Sequence, residues 1–382
     1  MTSICKTLAL LALLAFASAP LHAAVPSPGK WKGPLGPSGF SLPPVGTAFP
    51  ANSWAGITGI LDLSVTKPSK SAPAGAFSFS LSVAQGNTTL ALKGKGALQP
   101  DGRLQWSGFV GRTVSASILL EPPTSPEAAL RGTATLAEQT FPILAYREAH
   151  TRTAPLPPSE AGLHTLFATS LGAFQGTTIG SAALAPAGTA RLAATLPDGT
   201  KLSGSSALVS EDSGPFLPLF LLAKGKAPLG AWAFKKPSPD ADWTGGASLR
   251  GTAPVALALV RHPKPGKTDP VVPWLSADLF MEHPSFLFST GTVTRGIDNK
   301  LAFSFSPGQF ILGGKFAFNP STGSLTATIQ YNSLTDLSGS DKPATATIQG
   351  LLNRKTGAIL GFVRPNTPGA APGLFDILPA SQ

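Results

Sequence analysis

Beyond the first 23 residues the chain holds four histidines: His150, His164, His262 and His283. Nucleophilic or acid–base catalysis needs such a group within reach of a nucleophile and held by a third, orienting group. No two of these histidines have the i, i+4 spacing of a zinc-binding helix, and no His-Glu-x-x-His stretch occurs. Glu282-His283 is the one place where an acid adjoins a histidine, but neighbouring residues of a strand point to opposite faces. His164 reads as standing in for a core or edge aromatic, and His262 and His283, each followed by Pro, read as exposed turn residues.

The carboxylates offer no facing pair of the kind a glycosidase uses. Asp101, Glu211, Asp212, Asp198, Asp240, Asp242, Asp298, Asp336 and Asp341 sit in turn-like contexts, where Asp caps the backbone. Asp62 reads as the one carboxylate inside a strand, without a partner in sequence. There is no clustered calcium loop, no Gly-x-Ser-x-Gly elbow and no phosphate-binding glycine loop. The expectation is therefore no catalytic set, no metal site and no cofactor.

Binding has more to work with. The formal net charge is +10, which on an exported surface favours acidic polymers. The most basic local feature is Lys235-Lys236 followed by the loop of Arg261, His262, Lys264 and Lys267. With aromatic rings nearby, Trp243, Arg261, Lys264, Lys267 and Trp274 form the candidate ligand-binding set, for an anionic polysaccharide or cell-surface polymer. Trp106 and Trp232 are read as core residues, while Trp54, Trp243 and Trp274 lie near unit edges and are freer. Nothing points to a specific nucleic-acid partner.

Strands must position these residues. Only 13% of residues are charged, and Gly 41 and Pro 38 make up about a fifth of the 382, a balance that suits short strands with close turns. Phe77, Phe79, Leu81 and Val83 alternate with serines, and Leu301, Phe303 and Phe305 alternate with small polar residues. That period of two marks half-buried strands. Pro100-Asp101-Gly102 and Pro197-Asp198-Gly199 recur 97 positions apart, which suggests a repeat of roughly a hundred residues. The apolar run Pro215 to Ala223 follows the second turn and is read as a strand whose Phe216, Leu219 and Phe220, with Trp232, fill a core.

The predicted fold is all-β, with tandem antiparallel meander units forming small barrels or two-layer sheets. Residues 1–23 read as a signal peptide, with Lys6 before the apolar run Leu8 to Phe16 and small residues towards Ala23. Residues 24–50 read as a Pro/Gly-rich leader without strands, 51–150 as unit 1, 151–160 as a linker, 161–273 as unit 2 and 274–382 as unit 3. No later stretch is long and apolar enough for a transmembrane helix. The lone cysteine, Cys5, lies in the signal, so disulfides play no part beyond it.

Residues 160–380 resemble a family of large exported proteins of environmental Gram-negative bacteria whose C-terminal regions carry repeated β-meanders. The matching stretches are Ala161-Gly162-Leu163-His164-Thr165, Leu196-Pro197-Asp198-Gly199-Thr200, Pro218-Leu219-Phe220 and Lys224 to Trp232, then Thr322-Gly323 and Ile348 to Leu352. The family's pattern has Tyr where His164 and Phe220 stand, and Ala where Pro197 stands. The resemblance implies a fold and an exported location, periplasmic, cell-surface or extracellular, and carries no activity. The leading expectation is a non-catalytic exported structural or binding protein. A secreted hydrolase with a site between units, using Asp62, Glu282 or His283, is the alternative, and an outer-membrane β-barrel the second alternative.

Overall fold

The computed structural model describes residues 24–36, 58–85, 88–111, 113–125, 128–169, 176–211, 214–223, 228–236, 241–249, 255–262, 269–283, 287–307, 311–332, 343–367 and 369–380. The expected signal peptide, Trp54, Lys264, Lys267, Asp212, Asp240, Asp336 and Asp341 lie outside them.

The chain is all-β, folded as three antiparallel, barrel-like units. Unit 1 comprises β1 (Gly29–Leu35), β2 (Gly59–Thr66), β3 (Ala76–Gln85), β4 (Thr88–Ala97), β5 (Leu104–Val110), β6 (Val114–Glu121), β7 (Leu130–Leu136) and β8 (Gln139–Arg147). Unit 2 comprises β9 (Gly162–Thr169), β10 (Thr177–Leu184), β11 (Thr189–Thr195), β12 (Lys201–Ala207), the short β13 (Val209–Glu211), β14 (Gly214–Ala223), β15 (Pro228–Lys235), β16 (Trp243–Leu249) and β17 (Val255–Arg261). Unit 3 comprises β18 (Ser276–His283), β19 (Leu287–Arg295), β20 (Leu301–Phe305), β21 (Ile311–Asn319), β22 (Ser324–Tyr331), β23 (Ala344–Leu352), β24 (Ile359–Pro365) and β25 (Gly373–Pro379).

In each unit the first strand pairs with the last, so the sheet curls round with its ends at the middle of the sequence. Alternation then sorts the side chains. In β3, Phe77, Phe79, Leu81 and Val83 point into the unit and are buried, while the serines between them face out. The segments before β9 and β18 seal their units. Leu156, in the expected linker, is 2% exposed inside unit 2, and Val272 and Trp274 join the core of unit 3.

The structure corrects four sequence readings. The leader contains a strand: Gly29–Leu35 pairs along β2 and against β8. It shows no alternation, with five buried residues in a row and Pro34 within it, and Gly33 is required because a Cβ there would lie 2.5 Å from the Leu144 carbonyl oxygen. The two Pro-Asp-Gly turns are not equivalent joints: the first connects β4 to β5, the fourth and fifth strands of unit 1, and the second β11 to β12, the third and fourth of unit 2. They share a geometry, with Gly102 and Gly199 both at φ 86° and Asp101 and Asp198 each accepting the backbone N–H two residues on. Hence the repeat is real, while its sequence marker reports turn chemistry and not position.

Strand β14 is buried on both faces. Leu217, Leu219 and Leu221 fill unit 2, but Phe216 and Phe220 point the other way and pack on unit 1, against Tyr146 and Ile60 respectively. Lastly, Asp62 is not the sole carboxylate on a strand, since Asp278 and Glu282 lie on β18 and Asp376 on β25.

Candidate functional site

The outward faces of β9 to β12 lean towards β22 and β23 of unit 3 and leave a groove of about 860 Å³ between the two units. Its apolar base continues a contact cluster of Phe167, Ile179, Val260 and Phe362, with Leu351 and Leu360 against them. These residues explain why β9 and β24 lose clean alternation: Leu166 and Ala168 fill unit 2 while Phe167 between them docks on unit 3.

The lining is mostly apolar, with Leu163, Ile179, Ala193 and Leu351 among it, and its polar groups are hydroxyls, one amide and one ammonium. Thr165, Ser181, Thr195 and Ser203 come from unit 2, and Thr322, Ser324, Thr326 and Gln349 from unit 3. Thr165 Oγ1 donates to the Val260 carbonyl at 3.2 Å, and the Thr322 and Ser324 hydroxyls share a hydrogen bond at 2.8 Å. Lys201 is the single charged residue in the lining among the described residues. It is exposed and makes no ion pair among the described residues. Among the described residues no carboxylate lines the groove, and what these residues offer is hydrogen bonds and one positive charge.

Polar contacts fix the two units round it. Arg364 Nη1 donates to the Asp198 carbonyl at 3.1 Å, Lys355 pairs with Asp242 at 2.9 Å, and Arg354 Nε–H donates to His262 Nε2 at 3.0 Å. His262 is 5% exposed and His283 2%, which corrects the expectation that both lie in open turns. Their cause of burial differs. His262 is held by the unit 2–unit 3 contact, whereas His283 points into unit 3, its Nε2 2.6 Å from the Ala371 carbonyl. His164 lies inside unit 2 near the start of β9, as its reading as an aromatic replacement required, and burial pushes it down to about 4.

Of the residues expected to bind ligand, Trp243, Arg261 and Trp274 do not line the groove, and Lys264 and Lys267 lie outside the described residues. Trp243 is 2% exposed inside unit 2, and Trp274 is 8% exposed with its Nε1–H donating to the Gly357 carbonyl at 2.8 Å. Both rings are covered by core atoms, so neither gives a ligand a free face to stack on. Arg261 uses its Nη2 on the Pro158 carbonyl at 2.9 Å and closes the mouth of unit 2. Lys236, beside the same mouth, pairs with Glu160 at 3.2 Å.

The hydrolase candidates are dispersed as well. Asp62 is bound to Lys32 on the outer surface of unit 1, near Glu148, whose carboxyl burial raises despite the opposing pull of Lys30 and Lys32. Glu282 is exposed on β18. The groove residues were missed in sequence because Thr, Ser and Lys on alternate positions are what any solvated strand face shows. Only the interruption of that pattern by outward Phe167 and Phe362 marked the adjoining contact. Compared with family models, curated proteins and solved structures, the chain matches none, and the site rests on its own geometry.

Proposed function

We propose that this is a non-catalytic exported binding or structural protein, and that the groove between units 2 and 3 holds a stretch of anionic, hydroxyl-rich polysaccharide. The observation that carries this reading is the polar part of a mostly apolar lining: Lys201 without an ion-pair partner among the described residues, beside hydroxyls and Gln349, with no carboxylate among the described lining residues to repel an acidic chain. A volume of about 860 Å³ falls within the roughly 300–1,000 Å³ range of ligand clefts. Export is proposed from the signal-like Met1 to Ala23 and from the β-meander resemblance.

The units carry apolar interiors, and β3 presents Ser78, Ser80 and Ser82 outward. A membrane barrel has the reverse sidedness, with an apolar band towards lipid, which favours an aqueous setting for these units. The test compares salt-dependent retention on an immobilised polyuronate for wild type, Lys201→Glu and Lys70→Glu, the last an equal charge change on an exposed residue of unit 1. Lys201→Glu is expected to elute at clearly lower salt than Lys70→Glu. Equal losses would show that net charge alone retains the protein and would remove the groove from the proposal.

A further inference from the structure

His262 follows β17 directly and faces unit 3 at the end of the groove where Leu163 and Thr322 stand. Its backbone N–H donates to the Leu163 carbonyl at 2.8 Å. Its ring lies against the β21–β22 turn, so closely that a Cβ on Gly323 would sit 3.2 Å from Cε1. Two groups compete for Nε2. Arg354 Nε–H, from the β23–β24 turn, needs its lone pair at 3.0 Å, while the Ser321 carbonyl at 3.3 Å can be served only by a proton there.

The arrangement with Arg354 requires the neutral ring with its proton on Nδ1. That nitrogen is buried and has no partner among the described residues. Adding a proton to Nε2 reverses the allegiance: the ring then donates to Ser321 and presents a positive charge to the Arg354 guanidinium. Arg354 has a second hold, donating to the Pro320 carbonyl through Nη2, so its displacement pulls on the same turn.

We propose that His262 and Arg354 form an acid-released latch between units 2 and 3, closed when His262 is neutral and opened when Nε2 takes a proton. The surrounding charges leave that proton no compensation. Burial and Arg354 both hold His262 below the ordinary histidine range, against the weaker pull of the Ser321 carbonyl, and no carboxylate contributes. Arg261 is turned to Pro158 and Ala161, Lys355 is paired with Asp242, and Asp269 acts on Arg354. If the groove binds polysaccharide as proposed above, the latch sets the pH range over which unit 3 can move away from it. The latch itself is read without any ligand.

The experiment is amide hydrogen exchange on the full chain, expressed as protection relative to the intrinsic rate at each pH. Between about pH 7 and about pH 4.5, segments 319–323 and 352–357 are expected to lose protection about tenfold more than the strands of unit 1. In His262→Gln, which takes up no proton, that extra loss should disappear. His164 and His283 titrate in both proteins, so a loss that persists in the variant assigns the effect to them and overturns the latch. Unchanged wild-type protection overturns it also. Should His262→Gln fail to fold, the His262 ring resonance of wild type is followed by NMR: its midpoint must coincide with the loss of protection, and a separate midpoint refutes the proposal. Because retention on polyuronate is measured near neutral pH, the groove reading and the latch fail independently.

Discussion

Units 2 and 3 close their sheets differently. In unit 2 the backbone completes the circle, with β12 pairing to β14 at Leu202↔Ala223 and Ser203↔Leu222. In unit 3 the third and fourth strands, β20 and β21, are the two ends of the sheet, and no ladder joins them among the described residues. Aromatic rings bridge that seam: Phe303 stacks on Phe316 with centroids 3.9 Å apart and planes within 10°, and Phe305 lies 6.0 Å from Phe316. Unit 1 does likewise across β4 and β5, where the Phe79 ring on β3 meets the Trp106 edge at 5.2 Å. Trp106, Phe303, Phe305 and Phe316 at these seams stay partly exposed, whereas Leu202 and Leu221 in unit 2 are buried. The hydrogen-bonded closure belongs to the unit that packs on both neighbours and supplies most of the groove, so the strands bearing that site are the ones whose spacing the backbone fixes.

The largest expected effect tests the ring closure. Phe316→Ala should destabilise unit 3 by about 2–4 kcal/mol, the lower part of the large-to-small range because the ring is only partly buried. Denaturant unfolding monitored with hydrogen exchange should show β20 and β21 opening first. A cost below about 1 kcal/mol would mean that the rings fill the seam without holding it.

Gly204 tests the backbone closure of unit 2. A Cβ there would lie 2.9 Å from Leu221 Cδ2 and 3.0 Å from the Phe220 carbonyl oxygen. Gly204→Val is therefore expected to cost about 1–3 kcal/mol by forcing β12 from β14. Because the change also shifts Ser203 in the groove wall, polyuronate retention should weaken with it. Full retention at reduced stability would uncouple closure from the site.

A smaller cost, about 1–2 kcal/mol, is expected for Gly199→Ala, where φ of 86° penalises any Cβ. The added carbon would also meet Arg364 Nη1 and displace its bond to Asp198. Gly102→Ala has the same φ in unit 1 but no contact with another unit, so the difference between the two melting shifts isolates the Arg364 contribution.

Most of this architecture was legible because alternation is a local signal. Phe77 to Val83 announce β3 through the side-chain period alone, and Asp198-Gly199 announce a turn through the conformation that Gly permits. The misses lie where two surfaces meet. Strand β1 needs β8 to explain Gly33, and Phe216 and Phe220 look like core residues until unit 1 is placed against them. Trp243 and Trp274 show the same limit from the other side: chain position near a boundary says nothing about whether a neighbouring segment folds over the ring. The groove was hidden for a further reason, since its hydroxyls are ordinary for a strand's outer face and acquire meaning only when two such faces oppose each other.

The smallest effect concerns the outward face where first and last strands pair. In unit 1 that face presents Leu144 and Tyr146 to unit 2, and in unit 2 it presents Phe167 and Val260 to unit 3. In unit 3 the same strands, β18 and β25, carry Asp278, Glu282 and Asp376 beside Phe280, Leu374 and Leu378. Burial pushes Asp376 up to about 6, against a backbone hydrogen bond from Gly361, and its Oδ1 has no partner among the described residues. The folded chain thus keeps a proton that the unfolded chain releases from its ordinary 3.8, and ionisation destabilises the fold as pH rises from that value through about 6. Asp376→Asn should accordingly stabilise unit 3 at neutral pH by about 1 kcal/mol or less, since a buried amide without a partner keeps part of the desolvation cost. The gain should vanish below about pH 4, where the wild-type carboxyl is neutral in both states. A gain independent of pH would show that Asp376 is disfavoured by its shape and not by its charge, and would weaken the contrast between this acid-bearing face and the apolar faces that join the units.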